Sequence, residues 1–184
     1  MAVGDDCGSS TATFEHVRNQ VLVERDLRLT LSTIGPLYRI TCTVEEQPED
    51  GGDVCTILLG ETDGFVVPPL KLMHCDTMRI YNSRLKSCKT NKRLGFMGLG
   101  RVMAQAVFAH GLEKGCEKAE ILAINDDEDM HRKLVRYYER MGFEVECEVT
   151  GENLSDIFHL LVWGGVGTRM NADLRQVFLK GDQH

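Results

Sequence analysis

A glycine-punctuated turn that opens a long apolar helix constrains the fold of this chain more than any other feature. The turn reads Gly95-Phe96-Met97-Gly98-Leu99-Gly100. From Leu99 to Val107, apolar residues recur at i, i+3, i+4, i+7 and i+8, which predicts one buried helical stripe. The first N–H groups of a helix lack partners within the helix and carry a partial positive charge. Glycines at such a start let an anion approach the backbone, so the pattern favours phosphate binding.

The turn by itself leaves the ligand open. Its glycines are not spaced Gly-x-Gly-x-x-Gly, and no acidic residue ends a second strand about twenty residues further on, as a ribose ligand would. No Gly-Lys-Ser/Thr follows, which excludes a P-loop. Glycine clusters before helices also relieve steric crowding without binding anything, so both a phosphate site and a purely steric role remain.

A second motif lies further along the chain, Tyr138-Glu139-Arg140-Met141-Gly142-Phe143. With the glycine turn, it resembles the GCN5-related N-acetyltransferase superfamily over residues 70–163. In that family an Arg/Gln-x-x-Gly-x-Gly/Ala turn follows the fourth strand, and a later helix ends in a Tyr-Glu-Lys-x-Gly-Phe-like signature. Gly98 and Gly100 match the paired small residues of the turn. The resemblance implies an α/β fold (mixed α+β), in which helices flank an acetyltransferase-like mixed central β-sheet.

The resemblance also implies an activity. The enzyme would transfer an acetyl group directly from acetyl-coenzyme A to a primary amine of a small molecule, peptide or protein. Tyr138 would be the general acid that protonates the departing sulfur. Tyr137 is the neighbouring alternative, but its position does not match the signature. Backbone N–H groups at Ile80 and Tyr81 would hold the thioester oxygen.

The cofactor site implied by the resemblance departs from the family at two positions. Gly95 stands where the family has Arg or Gln, so Arg93 would serve the phosphates from a shifted position. His131 stands where the family has Asn, seven residues before the signature tyrosine. No metal is implied. The predicted cofactor-binding residues are Ile80, Tyr81, Arg93, Gly95, Phe96, Met97, Gly98, Leu99, Gly100, Arg101 and His131.

The general base is left open between two residues of the predicted fourth strand. His74 and Asp76 lie two apart, so a regular strand would place them on one face. Histidine has an unperturbed pKa suited to the task. A chain of water molecules is the third alternative.

The net charge and its distribution limit the classes of molecule that this protein is expected to bind. The net charge of -7 argues against a nucleic-acid binder, whose affinity comes largely from neutralised phosphates. It suits a cationic amine acceptor, although it also simply favours solubility. Residues 83–93 nevertheless carry five positive charges, which favour contact with the cofactor's 3′-phosphate unless the segment is a solvated loop. These charges are Arg84, Lys86, Lys89, Lys92 and Arg93.

Composition and cysteine usage indicate a globular intracellular protein. The 184 residues are 42% hydrophobic and 27% charged, which suits one domain over 14–184 after a flexible N-terminus over 1–13. Seven cysteines without a Cys-x-x-Cys pair are read as reduced thiols, and their spacing argues against zinc. The sequence has no run of about 18 apolar residues, so no membrane-spanning helix is predicted. A cytoplasmic or other reducing compartment is expected, or an organelle if a transit peptide was removed.

Periodicity predicts the remaining elements. Strands are expected over 37–45, 54–59, 70–81, 119–125, 143–149 and 158–163, with a hairpin loop at 47–53. Helices are expected over 98–115 and about 129–141. Residues 14–34 fit strands, at 21–23 and 27–31, as well as helices. The tail 164–184 predicts a short helix with Leu174, Val177 and Phe178 on one face, which would dock on the sheet or on a second subunit in a homodimer.

Two classes of function therefore remain. Retention of Tyr138 favours an acetyltransferase. The changes at Gly95 and His131 favour a non-catalytic acyl-coenzyme A-binding or protein-interaction domain of the same fold.

Overall fold

The computed structural model describes residues 13–47, 52–87, 95–149 and 166–182, and all structural statements concern these ranges. Within these ranges an N-terminal helix is followed by four strands, and helices are interspersed with the later strands. In order they are α1 (Phe14–Arg25), β1 (Arg28–Ile34), β2 (Leu37–Glu46), β3 (Cys55–Val67), a short 3-10 turn (Pro68–Leu70), β4 (Leu72–Ile80), α2 (Asn82–Ser87), α3 (Phe96–Glu113), β5 (Lys118–Ile124), α4 (Glu128–Met141), β6 (Glu144–Val149), β7 (Gly167–Asp173) and α5 (Leu174–Asp182).

The strands form one seven-stranded sheet in the order β1-β2-β3-β4-β5-β7-β6. β4 and β5 are parallel, whereas the other neighbouring pairs are antiparallel. The helix α3 supplies the crossover between the two parallel strands, as such a connection requires. The predicted class, a mixed α/β fold with a mixed central sheet flanked by helices, is confirmed.

The core lies between the sheet and α3. The predicted stripe of α3 is buried, with Leu99 and Met103 fully excluded from solvent. Glycines allow the close approach of helix and sheet, because a Cβ at Gly111 would lie 2.5 Å from the Met73 sulfur on β4. The C-terminal part of α3 therefore packs closely against β4.

The region that the sequence left open, residues 14–34, forms one helix and one strand. Thr13 caps α1 by accepting a hydrogen bond from the His16 N–H at 3.2 Å. Phe14, Val17 and Val21 form its buried side, at helical spacing. The alternative of a strand at residues 21–23 is therefore wrong, since the cap and the helical spacing outweigh the β-propensity of two valines.

Strand β7 is absent from the sequence-based prediction, which placed only a helix after residue 163. It pairs with β5 and with β6, and its Thr168, Met170 and Ala172 are buried. Glycine, aspartate and asparagine in this segment have low β-propensity and hide its alternation. The predicted strand 158–163 lies outside the described residues.

The C-terminal helix is as predicted, with Leu174, Val177 and Phe178 buried. It packs on α3, where the Gln105 amide donates to the Phe178 carbonyl oxygen at 3.2 Å. Arg101 of α3 donates to the Lys180 carbonyl oxygen at 3.3 Å. Because these are contacts within one chain, the apolar side of α5 is already covered.

No helix of the described ranges combines the length and apolar character needed to cross a bilayer. No cluster of three or more His, Cys, Asp or Glu side chains there is suited to hold a metal ion.

Candidate functional site

The central sheet opens between its two parallel strands. β4 and β5 pair only from Leu72 opposite Lys118 to Cys75 opposite Ile121. Beyond this point β4 continues beside β3 as far as Ile80, and β5 continues beside β7. Strand edges that face a gap present N–H and C=O groups without ladder partners. The opening is therefore lined by backbone groups that can bind an extended ligand.

A β-bulge marks the start of this opening. Asp63 of β3 lies opposite Thr77, but its neighbour Gly64 lies opposite Cys75, which leaves Asp76 as the extra residue of β4. A bulge turns the strand and breaks the alternation of side chains. The prediction that His74 and Asp76 share a face is therefore wrong, because it assumed an uninterrupted period of two.

The two candidate bases consequently have different surroundings. His74 is 1% exposed and its ring stacks on Phe65, with centroids 4.5 Å apart. Burial, assisted by the charge of Arg169, lowers the pKa of His74 to about 4. Asp76 is exposed, and partial burial together with the nearby Asp63 carboxylate raises its pKa. Accessibility therefore favours Asp76, and the lowered pKa of His74 argues against a histidine base.

Successive backbone N–H groups at the end of β4, and just after it, point to opposite sides of the strand. The Tyr81 N–H donates to the Leu59 carbonyl oxygen at 2.9 Å and is therefore unavailable to a ligand. Because successive N–H groups point to opposite sides of a strand, the Ile80 N–H points away from β3, towards the opening. The predicted role for the Tyr81 N–H is wrong, whereas Ile80 stays a candidate. The Tyr81 hydroxyl donates to Glu61 at 2.7 Å.

The start of α3 lies beside the end of β4. Gly95 is the N-cap, with extended backbone and no side-chain hydrogen bond. A Cβ at Gly100 would lie 3.2 Å from Cδ1 of Ile80 and 3.5 Å from the hydroxyl of Tyr137. β4, α3 and α4 therefore converge at Gly100. Arg93, which was expected to serve the phosphates, lies outside the described residues.

Tyr138 packs against the core near the apex of the opening. Its ring meets Phe143 edge-on, with centroids 5.8 Å apart. Burial raises the pKa of Tyr138 far above its ordinary value, and the nearby Cys75 thiol adds to the shift. Cys75 is the last residue of β4 that pairs with β5. A phenol in this setting stays protonated at neutral pH and can therefore donate a proton or a hydrogen bond to a ligand.

Tyr137 points its hydroxyl to a different place. This oxygen is buried and has no hydrogen-bond partner among the described residues. Burial raises the pKa of Tyr137, and Arg101 partly offsets the shift. A buried hydroxyl without a partner costs free energy unless a ligand or water satisfies it. Its place beside Gly100 makes it a site residue that sequence matching set aside.

A basic cleft of about 850 Å³ lies between α3, α4 and α5. Met97 and Tyr137 are part of its wall, and no carboxylate of the described residues lines it. Its cationic side chains come from three helices that are far apart in the sequence. For this reason the sequence indicated only one of them, Arg101, as a cofactor-binding residue. The cationic side chains of this basic cleft are Arg101, Lys133, Arg136, Arg140 and Lys180.

Two other predicted groups lie elsewhere. The His131 ring hydrogen-bonds the Thr168 hydroxyl at 3.0 Å, which ties the first turn of α4 to β7 rather than to α3. Among the five cationic residues of the range 83–93, Arg84 has its guanidinium over the Tyr81 ring, 4.4 Å from the ring centroid. Lys89, Lys92 and Arg93 lie outside the described residues.

Comparison with family models and with curated proteins gives no match. The chain is similar in structure to solved acetyltransferases. A Bacillus subtilis acetyltransferase in complex with CoA is 12% identical, with a TM-score of 0.49 over 80% of this chain and 98% of that one. Nourseothricin acetyltransferase is 13% identical, with a TM-score of 0.46 over 80% and 98%. The ribosomal-protein-S18-alanine N-acetyltransferase from Escherichia coli is 10% identical, with a TM-score of 0.46 over 77% and 72%. These similarities are distant and concern the fold.

Proposed function

We propose that this protein is an N-acetyltransferase that transfers an acetyl group from acetyl-coenzyme A to a primary amine. The observation that carries the proposal is the opening between β4 and β5 beside the glycine-rich start of α3. A thioester in the opening and phosphates at the helix start would occupy one continuous path. The unpartnered Tyr137 hydroxyl, which lies on that path beside Gly100, supports the presence of a polar ligand there.

The thioester carbonyl is activated by the edge of β4. The Ile80 N–H, directed into the opening, donates a hydrogen bond to the carbonyl oxygen as negative charge develops on it. Such a donor is fixed in place by the pairing of β4 with β3, so it needs no reorganisation during the reaction.

Transfer proceeds by direct attack. The lone pair of the neutral amine attacks the carbonyl carbon, a C–N bond forms, and the C–S bond breaks as the electron pair passes to sulfur. Tyr138 donates its proton to the departing thiolate, and the raised pKa keeps that proton in place beforehand. Asp76, directly or through water, takes the proton that the amine loses. The products are the acetylated amine and the free coenzyme A thiol.

The first experiment is calorimetric titration with acetyl-coenzyme A, coenzyme A and, as a control, NADH. Binding of the two coenzyme A species without NADH is expected, and a flat titration with all three would sink the proposal. Turnover is then screened over small amines, peptides and proteins with free thiol release as the signal.

The Tyr138→Phe variant tests the general acid. We expect turnover to fall by roughly tenfold to a thousandfold, the range for a lost proton donor, with little change in the calorimetric affinity. The unfolding temperature serves as the control for folding, because the ring packing against Phe143 is retained. Unchanged turnover would remove Tyr138 from the mechanism.

A non-catalytic acyl-coenzyme A-binding domain is the second candidate. It is favoured by Gly95, which replaces the family's Arg or Gln at a position with open space around it. Tight binding of acetyl-coenzyme A without thiol release on any amine would support this candidate over the enzyme.

A further inference from the structure

We propose that Tyr38 and Thr62 are positioning residues for acetyl transfer. Their buried hydroxyl groups hold the bulge of β4, which places Asp76 and the Ile80 N–H at the opening of the sheet. These roles rest on the proposed function and extend it to two residues that act through the main chain of β4 rather than on a substrate.

The two hydroxyl groups reach the main chain of β4 on both sides of the bulge. The Tyr38 hydroxyl donates to the His74 carbonyl oxygen at 3.1 Å. The Thr62 hydroxyl donates to the Thr77 carbonyl oxygen at 2.7 Å. The two carbonyl groups flank the extra residue, Asp76, where a bulge interrupts the ladder of main-chain hydrogen bonds. We call this pair of side-chain hydrogen bonds the bulge clamp.

Burial makes both hydrogen bonds of the bulge clamp persistent. Thr62 is fully excluded from solvent, and Tyr38 is 3% exposed. Burial raises the pKa of Tyr38 well above its ordinary value, and the neighbouring Cys75 thiol adds to the shift. The Tyr38 hydroxyl therefore stays protonated and remains a donor at neutral pH. Removal of either hydroxyl would leave a carbonyl group of β4 without its side-chain donor, which costs free energy.

A glycine in β3 makes room for the Tyr38 side chain. Tyr38 lies opposite Gly64, which in turn lies opposite Cys75 at the bulge. A Cβ at Gly64 would lie 2.4 Å from the Tyr38 hydroxyl oxygen and 2.1 Å from the His74 carbonyl oxygen. The Tyr38 side chain therefore crosses β3 over a glycine to reach β4. Its ring also meets the His110 ring of α3 edge-on, with centroids 5.4 Å apart.

Thr62 connects the bulge clamp to the surroundings of the candidate general acid. A threonine hydroxyl has one proton, which Thr62 donates to Thr77, so its oxygen accepts from the Cys75 thiol at 3.4 Å. Cys75 is the last residue of β4 that pairs with β5, and it lies near Tyr138. The bulge clamp thus begins where the two parallel strands separate.

The bulge decides which main-chain groups of β4 face the opening. Because side chains and N–H groups alternate along a strand, one extra residue reverses the direction of every later position. With the bulge, the Tyr81 N–H pairs with the Leu59 carbonyl oxygen, and the Ile80 N–H points to the opening. A regular strand would turn the Ile80 N–H towards β3. A loosened bulge would therefore disturb both the donor for the thioester oxygen and the position of Asp76.

Amide hydrogen exchange on the free protein tests the bulge clamp without any reaction. Thr62→Val and Tyr38→Phe each remove one hydroxyl and nearly keep the shape of the side chain. We expect the amides of β4 to exchange roughly three- to tenfold faster in both variants, the range for one lost hydrogen bond, and those of α5 to keep their rate. Thr43→Val is the matched control, because the Thr43 hydroxyl donates to the Arg28 carbonyl oxygen at 3.5 Å, between β2 and β1.

Turnover distinguishes a positioning role from a purely structural one. Well below the unfolding temperature, Thr62→Val and Tyr38→Phe should lower kcat by roughly tenfold to a hundredfold, because a small misplacement of reacting groups is costly. The calorimetric affinity for acetyl-coenzyme A should stay within about threefold of the wild type, since the loss concerns the transition state. Thr62→Ser, which keeps the hydroxyl, should recover both kcat and slow exchange, and Thr43→Val should change neither.

The outcomes separate these roles from the proposed function. Unchanged exchange of β4 in both variants overturns the bulge clamp, whether or not the protein is an enzyme. Faster exchange with unchanged kcat, or no recovery in Thr62→Ser, overturns the positioning role and leaves the acetyltransferase proposal standing. A wild-type chain without turnover overturns the proposed function and the positioning role together. If Tyr38→Phe does not fold, the comparison of Thr62→Val with Thr62→Ser decides.

Discussion

Two adjacent tyrosines of α4 show how much of a site depends on the direction of a single side chain. Tyr138 packs against Phe143 near the apex of the sheet opening, whereas the Tyr137 hydroxyl lies beside Gly100 at the start of α3. Signature matching identifies Tyr138 alone. The role of Tyr137 follows from a buried oxygen without a described partner, which no spacing in the sequence reveals.

His110 on α3 leads to a prediction about stability and pH. It is 1% exposed, neither ring nitrogen has a described hydrogen-bond partner, and burial lowers its pKa to about 4. Between pH 4 and 6.5 the unfolded chain therefore binds more protons than the folded one. The contribution of His110 to the free energy of unfolding should be constant above pH 6.5. It should fall as the pH drops towards 4, by up to about 3 kcal/mol.

Urea unfolding at pH 7 and pH 5 measures this dependence. His74 has a similarly lowered pKa, so the wild-type loss contains both contributions. His110→Leu should reduce the loss between the two pH values while His74 keeps its share. An unchanged loss in the His110→Leu variant would contradict the assignment.

At the scale of elements, the bulge in β4 decides how the opening is built. The sequence predicts a strand over 70–81, and the observed strand covers Leu72–Ile80. The sequence of that segment does not indicate that Asp76 is an extra residue, because a bulge is defined by the register with the neighbouring strand. The error over His74 and Asp76 has this single cause.

Helix α5 is expected to contribute to stability through its buried side. Leu174 is fully buried, so Leu174→Ala should lower the free energy of unfolding by about 2–5 kcal/mol through lost burial and the resulting cavity. Leu179 on the same helix is 55% exposed and provides the control. Leu179→Ala should change stability by less than about 0.5 kcal/mol. Chemical denaturation of both variants measures the difference, and equal effects would show that α5 is not packed as described.

At the scale of the whole molecule, charge is distributed unevenly. The chain is acidic overall, yet the basic cleft presents cations from three helices and, among the residues that the structure describes, no lining carboxylate. Salt screens such long-range attraction, so coenzyme A should bind more weakly as ionic strength rises, by about tenfold between 0.05 and 0.5 M. S-acetyl-pantetheine, which lacks the phosphates, should bind with an affinity that salt hardly changes. Titration of both ligands at several salt concentrations checks this, and a parallel salt dependence would contradict a contribution of the phosphates to binding.

The sequence by itself determined the elements with strong local patterns. Contacts between residues a few positions apart set three of these patterns. They are the apolar stripe from Leu99 to Val107, the alternation of β2, and the cap and the glycine at which α4 begins and ends. Tertiary structure alone decided the strand β7, the bulge at Asp76 and the basic cleft. Each depends on which distant segments meet, and pairing register and packing direction are fixed by long-range contacts that a local pattern does not contain.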